Sequence, residues 1–158
     1  MGSWADVPVF GSTPAGAQAI VRPSAYGIVN DGAQVLAVVR TPQGLFLPGG
    51  GMEPHELPQE TVVRESFEEC GLAVEIGAWV ARAVDFWYSA SDHVVYEKRS
   101  TFVDAMPIGL PVAGQEPDHE LVWMDVEQAA AELAHPSHRW AVSQWTSARI
   151  SRAPPGSR

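Results

Sequence analysis

Glu65, Glu68 and Glu69 stand at i, i+3 and i+4 of one short stretch of the chain. On a helix that spacing gathers three carboxylates on one side of the cylinder, where like charges repel unless a cation compensates them. Hard divalent cations take oxygen ligands, and a magnesium or manganese ion held this way keeps positions free for water and phosphate oxygens. Sulfur and imidazole ligands for zinc are missing nearby. Taken alone, a run of glutamates on a helix is more often a solvated face, so the assignment depends on what surrounds it.

The surrounding elements can be read from punctuation and period. Pro58 suits a first helical turn and Gly71 a left-handed termination, which predicts a helix over Gln59–Cys70. Val63, Phe67 and Cys70 follow i, i+4, i+7 and are expected to form its buried face, with the three glutamates pointing away. Upstream, Ser24–Val29 and Gln34–Val39 flank Asn30-Asp31-Gly32-Ala33, a pattern that predicts a hairpin. Leu45-Phe46-Leu47 reads as a brief third strand ended by Pro48, and Gly49, Gly50 and Gly51 as loop backbone.

Downstream, Val74–Tyr88 and His93–Met106 read as a second, longer hairpin. After a loop over 107–119 come a strand at Leu121–Met124 and two helices, Val126–Leu133 and His138–Ile150. This order predicts an α+β fold with a mixed sheet between helices. Residues 1–19 are expected to be an N-terminal arm, 20–150 the domain, and 151–158 a flexible tail.

Composition narrows the function. With 158 residues the chain can bury one good core but not two. Its formal charge of −9 repels polyanions, so long nucleic acid is not an expected partner, whereas a small phosphate ester is compatible if magnesium stands between the charges. No run of eighteen apolar residues is present and the first residues lack a secretory pattern, so no membrane association is expected. Cys70, the single cysteine, fits a reducing compartment, and the expected location is cytoplasmic.

The residues flanking the glutamates change the balance. Gly50, five residues, Glu56, seven residues, Arg64-Glu65, two residues, Glu68-Glu69, one residue, Gly71 and Leu72 form a pattern that resembles the Nudix box of the Nudix hydrolases. Seven fixed letters coincide by accident on the order of 10⁻⁸ per starting point. The resemblance covers roughly Ile20 to Trp145 and implies an α/β/α sandwich. It implies that Glu65, Glu68 and Glu69 bind Mg2+ or Mn2+, with a backbone carbonyl near Gly49 or Gly50 as a further ligand. Arg64 and Glu56 resemble the internal ion pair that orients the loop and Glu65. The base would be Glu65 or Glu69. The activity implied is attack of water on a phosphoanhydride in a nucleoside diphosphate joined to another moiety, with oxidised deoxynucleoside triphosphates, dinucleoside polyphosphates and ADP-ribose as candidate substrates. A homodimer that intertwines through the N-terminal arm also follows from family grounds. A nucleotide-sensing module of the same fold, without turnover, is the alternative; such proteins commonly lose a box glutamate, and this chain keeps every one.

Three positions depart from the pattern. Ser66 replaces an aliphatic residue and is expected to weaken the contact of the helix with the core. Leu57 replaces the usual capping Ser or Thr, at a cost of ~1 kcal/mol. His55 occupies a position that is often Gly and is read as a loop histidine. Outside the pattern, Glu116, Asp118, Glu120 and Glu97 are candidates for a further acidic ligand or substrate contact. Trp87, Tyr88, Phe86 and Trp123 are candidates to stack on a base, Trp123 being expected buried. Tyr88, sixteen residues beyond Leu72, resembles the dinucleoside polyphosphate hydrolases in its spacing.

Overall fold

The computed structural model describes residues 2–153 and 156. In chain order the elements are β1 (Val9–Phe10), β2 (Ala19–Val29), β3 (Val35–Thr41), β4 (Gly44–Phe46), β5 (Gly49–Gly51), α1 (Pro58–Cys70), β6 (Val74–Ser89), β7 (Val94–Pro107), β8 (Glu120–Asp125), α2 (Val126–Glu132) and α3 (Pro136–Arg152). Alternation along two strands creates the layers. Tyr26 and Ile28 of β2, with Leu36 and Val38 of β3, face a core closed by Ala129, Leu133, Ala141, Val142 and Trp145 of the α2–α3 region. Ala25, Val29, Ala37 and Val39 point the other way, onto Val62 and Cys70 of α1 together with Leu72. Helices therefore cover both faces of the strands, the α/β/α layering expected from the sequence.

The strands divide into a five-stranded sheet, β1-β6-β7-β2-β5, and a three-stranded sheet, β4-β3-β8. The hairpin expected between β2 and β3 is thus corrected: the two strands share only the isolated bridge Asn30↔Leu36. β2 runs parallel to β7 from Ala19↔Val95 to Val29↔Ala105, while β3 is antiparallel to β4 and β8. The cause is local. Asn30 Nδ2 donates to Asp104 Oδ1 at 2.7 Å and to the carbonyls of Ala105 and Ile28 at 3.0 Å, which pins the end of β2 to β7. Asp31 Oδ1 then accepts from the N–H groups of Ala33 and Val35 and turns the chain into the other sheet. Trp145 Nε1 donates to the same Asp104 oxygen, so α3 is tied to this corner.

A second correction concerns Gly49–Gly51, which form the short strand β5 antiparallel to β2 instead of loop backbone alone. Only glycine fits at Gly49: its φ is +148°, and a Cβ there would overlap the Ala25 carbonyl oxygen and stand 2.7 Å from the Tyr26 ring.

α1 has the expected ends. Pro58 opens it, and Gly71 closes it at φ 66°, its N–H donating to Phe67 O at 2.9 Å. Leu57 offers no capping oxygen, but the Glu60 carboxylate accepts the Leu57 N–H at 2.8 Å, which supplies one half of a capping box. The buried face differs from expectation. Val63 and Phe67 are 43% and 45% exposed, whereas Val62, Ser66 and Cys70 are buried. Ser66 therefore sits within the contact with the core, its Oγ without a hydrogen-bond partner. Small residues let the helix lie close to β2: a Cβ on Gly27 would stand 2.7 Å from Val62 Cγ1.

The β6–β7 hairpin is present as expected, with bulges near Trp79, and β8, α2 and α3 follow the predicted order. Near the start of the chain, β1 pairs in parallel with β6, and Arg82 donates to the Gly2 and Ser3 carbonyls while lying over Trp4. Of the expected tail, Ser151 and Arg152 belong to α3, and residues 154, 155, 157 and 158 lie outside the described residues. Among the described residues no helix is long and apolar enough to cross a membrane.

Candidate active site

Arg64 organises the carboxylates. Its Nε and Nη2 bind the two oxygens of Glu56 at 2.7 and 3.0 Å, a bidentate geometry suited to a planar guanidinium. Nη1 donates to Glu65 at 2.9 Å and Glu68 at 3.2 Å, and Nη2 also reaches the Gly51 carbonyl. One side chain on α1 thus joins the loop before the helix, β5 and two of the three box glutamates. Glu56 also accepts from the Glu53 N–H and the Thr61 hydroxyl. These bonds, the Arg64 one foremost, hold its carboxyl down at about 2, well below the usual carboxylate range.

Glu69 faces inward and is 8% exposed. Its Oε1 accepts the Gly49 N–H at 2.9 Å, and His119 Nε2 lies 3.7 Å from Oε2. Burial pushes its carboxyl up to about 8, against the pull of the Gly49 hydrogen bond and with the charges of Glu65 and Glu116 adding to the rise. Glu65 is also raised, again through burial first. Gly50 packs directly on Glu65: a Cβ there would stand 3.0 Å from Glu65 Oε1.

The loop before β8 completes the cluster. Oxygens of Glu65, Glu68 and Glu116 lie within 4.8 Å of one another, an all-oxygen donor set of the kind that suits a hard divalent cation. His119 Nδ1 lies 3.2 Å from Glu116 and 2.9 Å from Asp118. Of the acidic residues weighed outside the box, Glu116 is the one brought to Glu65 and Glu68. Glu120 instead pairs with Arg40 across the β3–β8 ladder at 3.0 Å, and Glu97 pairs with Arg99 at 2.8 Å.

Beside Glu69 and Gly49 opens a cleft of about 690 Å³, lined also by Tyr26, Phe46, Trp87, Tyr88, Lys98 and His135. Trp87 forms an aromatic wall with Phe46 and His135, its ring centroid 4.2 Å from that of His135. Tyr88 stands at the rim, 57% exposed, with its hydroxyl 3.2 Å from His93 Nδ1. Phe86 does not line the cleft; its backbone and Cβ pack against Gly11. Trp123 also lies outside the lining and, contrary to expectation, is 41% exposed on β8. His55 is an exposed loop residue with φ 67°, the left-handed conformation that explains why glycine is usual there.

Sequence reasoning missed the Gly49 N–H as the anchor of Glu69, as well as His119, Phe46 and the pair Lys98 and His135. Loop closure, not spacing, brings His119 to the site. Lys98 carried a signal, because it is the only lysine in the chain.

Helices on both faces of the strands, with carboxylates of α1 converging beside an aromatic cleft, define an α/β/α sandwich domain. The Nudix domain model matches residues 21–146, and the chain belongs to the Nudix family. A Mycobacterium tuberculosis protein named "Putative 8-oxo-dGTP diphosphatase 3" is 33% identical over 107 residues, 68% of this chain and 48% of that protein. The chain thus spans about half the length of the curated relatives it matches. Among solved structures, a Nudix hydrolase from Nitrosomonas europaea superposes with TM-score 0.65 at 16% identity, covering 86% of this chain and 99% of that one. A MutT protein from Methanosarcina mazei Go1 gives 0.65 at 18%, with the same coverages. At these identities the two structures bear on the fold alone.

Proposed function

We propose that the chain is a metal-dependent nucleotide pyrophosphohydrolase, which cleaves a phosphoanhydride bond in a nucleoside diphosphate linked to another moiety. The observation that carries this reading is the convergence of Glu65, Glu68 and Glu116 beside buried Glu69, at one end of a cleft whose other wall is aromatic. Glu65, Glu68 and Glu116 would hold Mg2+ or Mn2+, with the Gly50 backbone against Glu65. When bound, the ion lowers the pKa of water and neutralises charge on the leaving phosphate.

The chain's own residues supply the rest. Of the two glutamates open as base, Glu69 is the better suited, because it lines the cleft and stands outside the Glu65, Glu68 and Glu116 donor set. The Gly49 N–H fixes its orientation. Arg64 and Glu56 are positioning residues that hold the loop and Glu65. Trp87 and Tyr88 offer faces on which a base can stack. The name of the Mycobacterium tuberculosis relative puts 8-oxo-dGTP first among substrates to try, ahead of dinucleoside polyphosphates and ADP-ribose.

The test is a phosphate and nucleotide release screen across these compounds, with magnesium and with a chelator. Turnover of at least one of them that stops in chelator is the expected result. Binding without turnover of any compound would overturn the reading in favour of a nucleotide sensor.

A further inference from the structure

Arg22 and Lys98 are directly opposite each other in the parallel β2–β7 pair, and both side chains line the cleft that contains Glu69. Like charges opposed on neighbouring strands destabilise a sheet. Among the described residues neither has a carboxylate within ion-pair distance, although the chain carries 19 Asp and Glu against 10 Lys and Arg. Lys98 Nζ donates instead to the Tyr26 hydroxyl at 2.7 Å and lies 3.4 Å from His135 Nε2, both uncharged groups. Its other cross-strand neighbour, Asp85, directs its oxygens to the Ser137 hydroxyl and N–H. An ammonium has three donors, so at least one is left for a ligand.

The Arg22 guanidinium lies over the Tyr96 ring, 5.2 Å from its centroid, and occupies the space above Gly51, where a Cβ would stand 2.8 Å from Nε. The contacts run in order from Glu69 through Gly49, Tyr26 and Lys98 to His135 and Trp87. Lys98 thus stands between the carboxylate cluster and the aromatic wall. His135 Nδ1, buried and without a partner, adds a second unused polar atom on this side of the cleft.

We propose that Arg22 and Lys98 form an anion clamp that grips the non-bridging oxygens of the substrate phosphate nearest the nucleoside. The identity of the ligand rests on the hydrolase reading above, whereas the clamp itself requires only a phosphate. It gives a chain of charge −9 a local attraction for a polyanion that does not depend on a bound cation. The two ends of a phosphoanhydride are then held by different means, one by the carboxylate cluster and its ion, the other by the clamp.

Lys98 is the single ε-amine, so acetic anhydride labelling read by peptide mass spectrometry reports on it apart from the terminal amine. The probe is inorganic pyrophosphate in chelator at low ionic strength. Pyrophosphate is expected to slow Lys98 acetylation about fivefold or more in the unaltered protein, and Arg22→Gln to abolish that protection. Calorimetry with the same probe is expected to show affinity falling about tenfold in both Arg22→Gln and Lys98→Met. Unchanged labelling in the unaltered protein, or undiminished affinity in both variants, would overturn the clamp. Protection that persists in a protein hydrolysing no nucleotide sinks the hydrolase reading and leaves the clamp standing. Hydrolysis with neither protection nor a rise in KM for Arg22→Gln sinks the clamp alone.

Discussion

Replacing Glu69 by Gln should separate stability from activity in opposite directions. The folded carboxyl is raised from 4.5 to about 8, chiefly by burial. The folded state therefore holds its proton more tightly than the unfolded chain, and stability contributed by the neutral acid is full below pH 4.5 and lost as pH rises through about 8. At pH 7 an ordinary carboxyl is ionised, and keeping this one in its buried setting costs roughly 3 kcal/mol relative to acid conditions. Gln retains an oxygen for the Gly49 N–H and, like the protonated acid that the folded state holds below about pH 8, carries no charge there. The net gain for Glu69→Gln in chelator is then on the order of 3 kcal/mol at pH 7, or about 6–12 °C in Tm for a domain of this size. At pH 4.5 the two proteins should melt together. Urea and thermal denaturation between pH 4.5 and 8.5 in chelator measure this directly. Metal-dependent hydrolysis by the variant should fall by orders of magnitude. A Glu69→Gln variant no more stable than its parent at pH 8, or one as active, would refute the reasoning.

Other perturbations probe the neighbouring parts. Glu116→Gln should raise the magnesium concentration needed for half-maximal rate about tenfold or more with little change in Tm, measured by titrating the ion at saturating substrate. Trp87→Ala should raise KM about tenfold while lowering kcat less, since a stacked base contributes ~1–3 kcal/mol, and steady-state kinetics separate the two. Gly49→Ala should destabilise the fold by several kcal/mol and abolish activity, because its Cβ collides with the Ala25 carbonyl and the loss of β5 releases Glu69; solubility and denaturant midpoint report it.

The helix, its ends and the positions of its three glutamates were legible because Pro58, Gly71 and the glutamate spacing are all local signals. The buried face was not, since Val63 and Phe67 satisfy the same periodicity as Val62 and Ser66. What decides between them is the close approach to Gly27, a partner distant in sequence. The division into two sheets was equally hidden. Asn30-Asp31-Gly32 is a good turn either way, and only the bonds from Asn30 to Asp104 and Ala105 determine that β2 stays with β7. Glu116 reached the site, and Glu120 did not, through the path of a loop that carries no period. Lys98 was visible as a rarity, but its pairing with Arg22 depends on a parallel register between strands far apart in sequence, which no local pattern encodes.

Two imidazoles beside a reaction centre invite assignment as proton carriers. Burial lowers His135 to about 3 and holds His138 well below its ordinary value, with the nearby charge of Lys98 reinforcing both shifts. Through the whole neutral range neither gains a charge, so the wall that His135 forms with Phe46 and Trp87, with His138 packed behind it, keeps one charge state. Any inflection in a rate profile near neutral pH should then be sought among the acidic groups, and the proposed stacking of a nucleobase on this wall should not vary across that range.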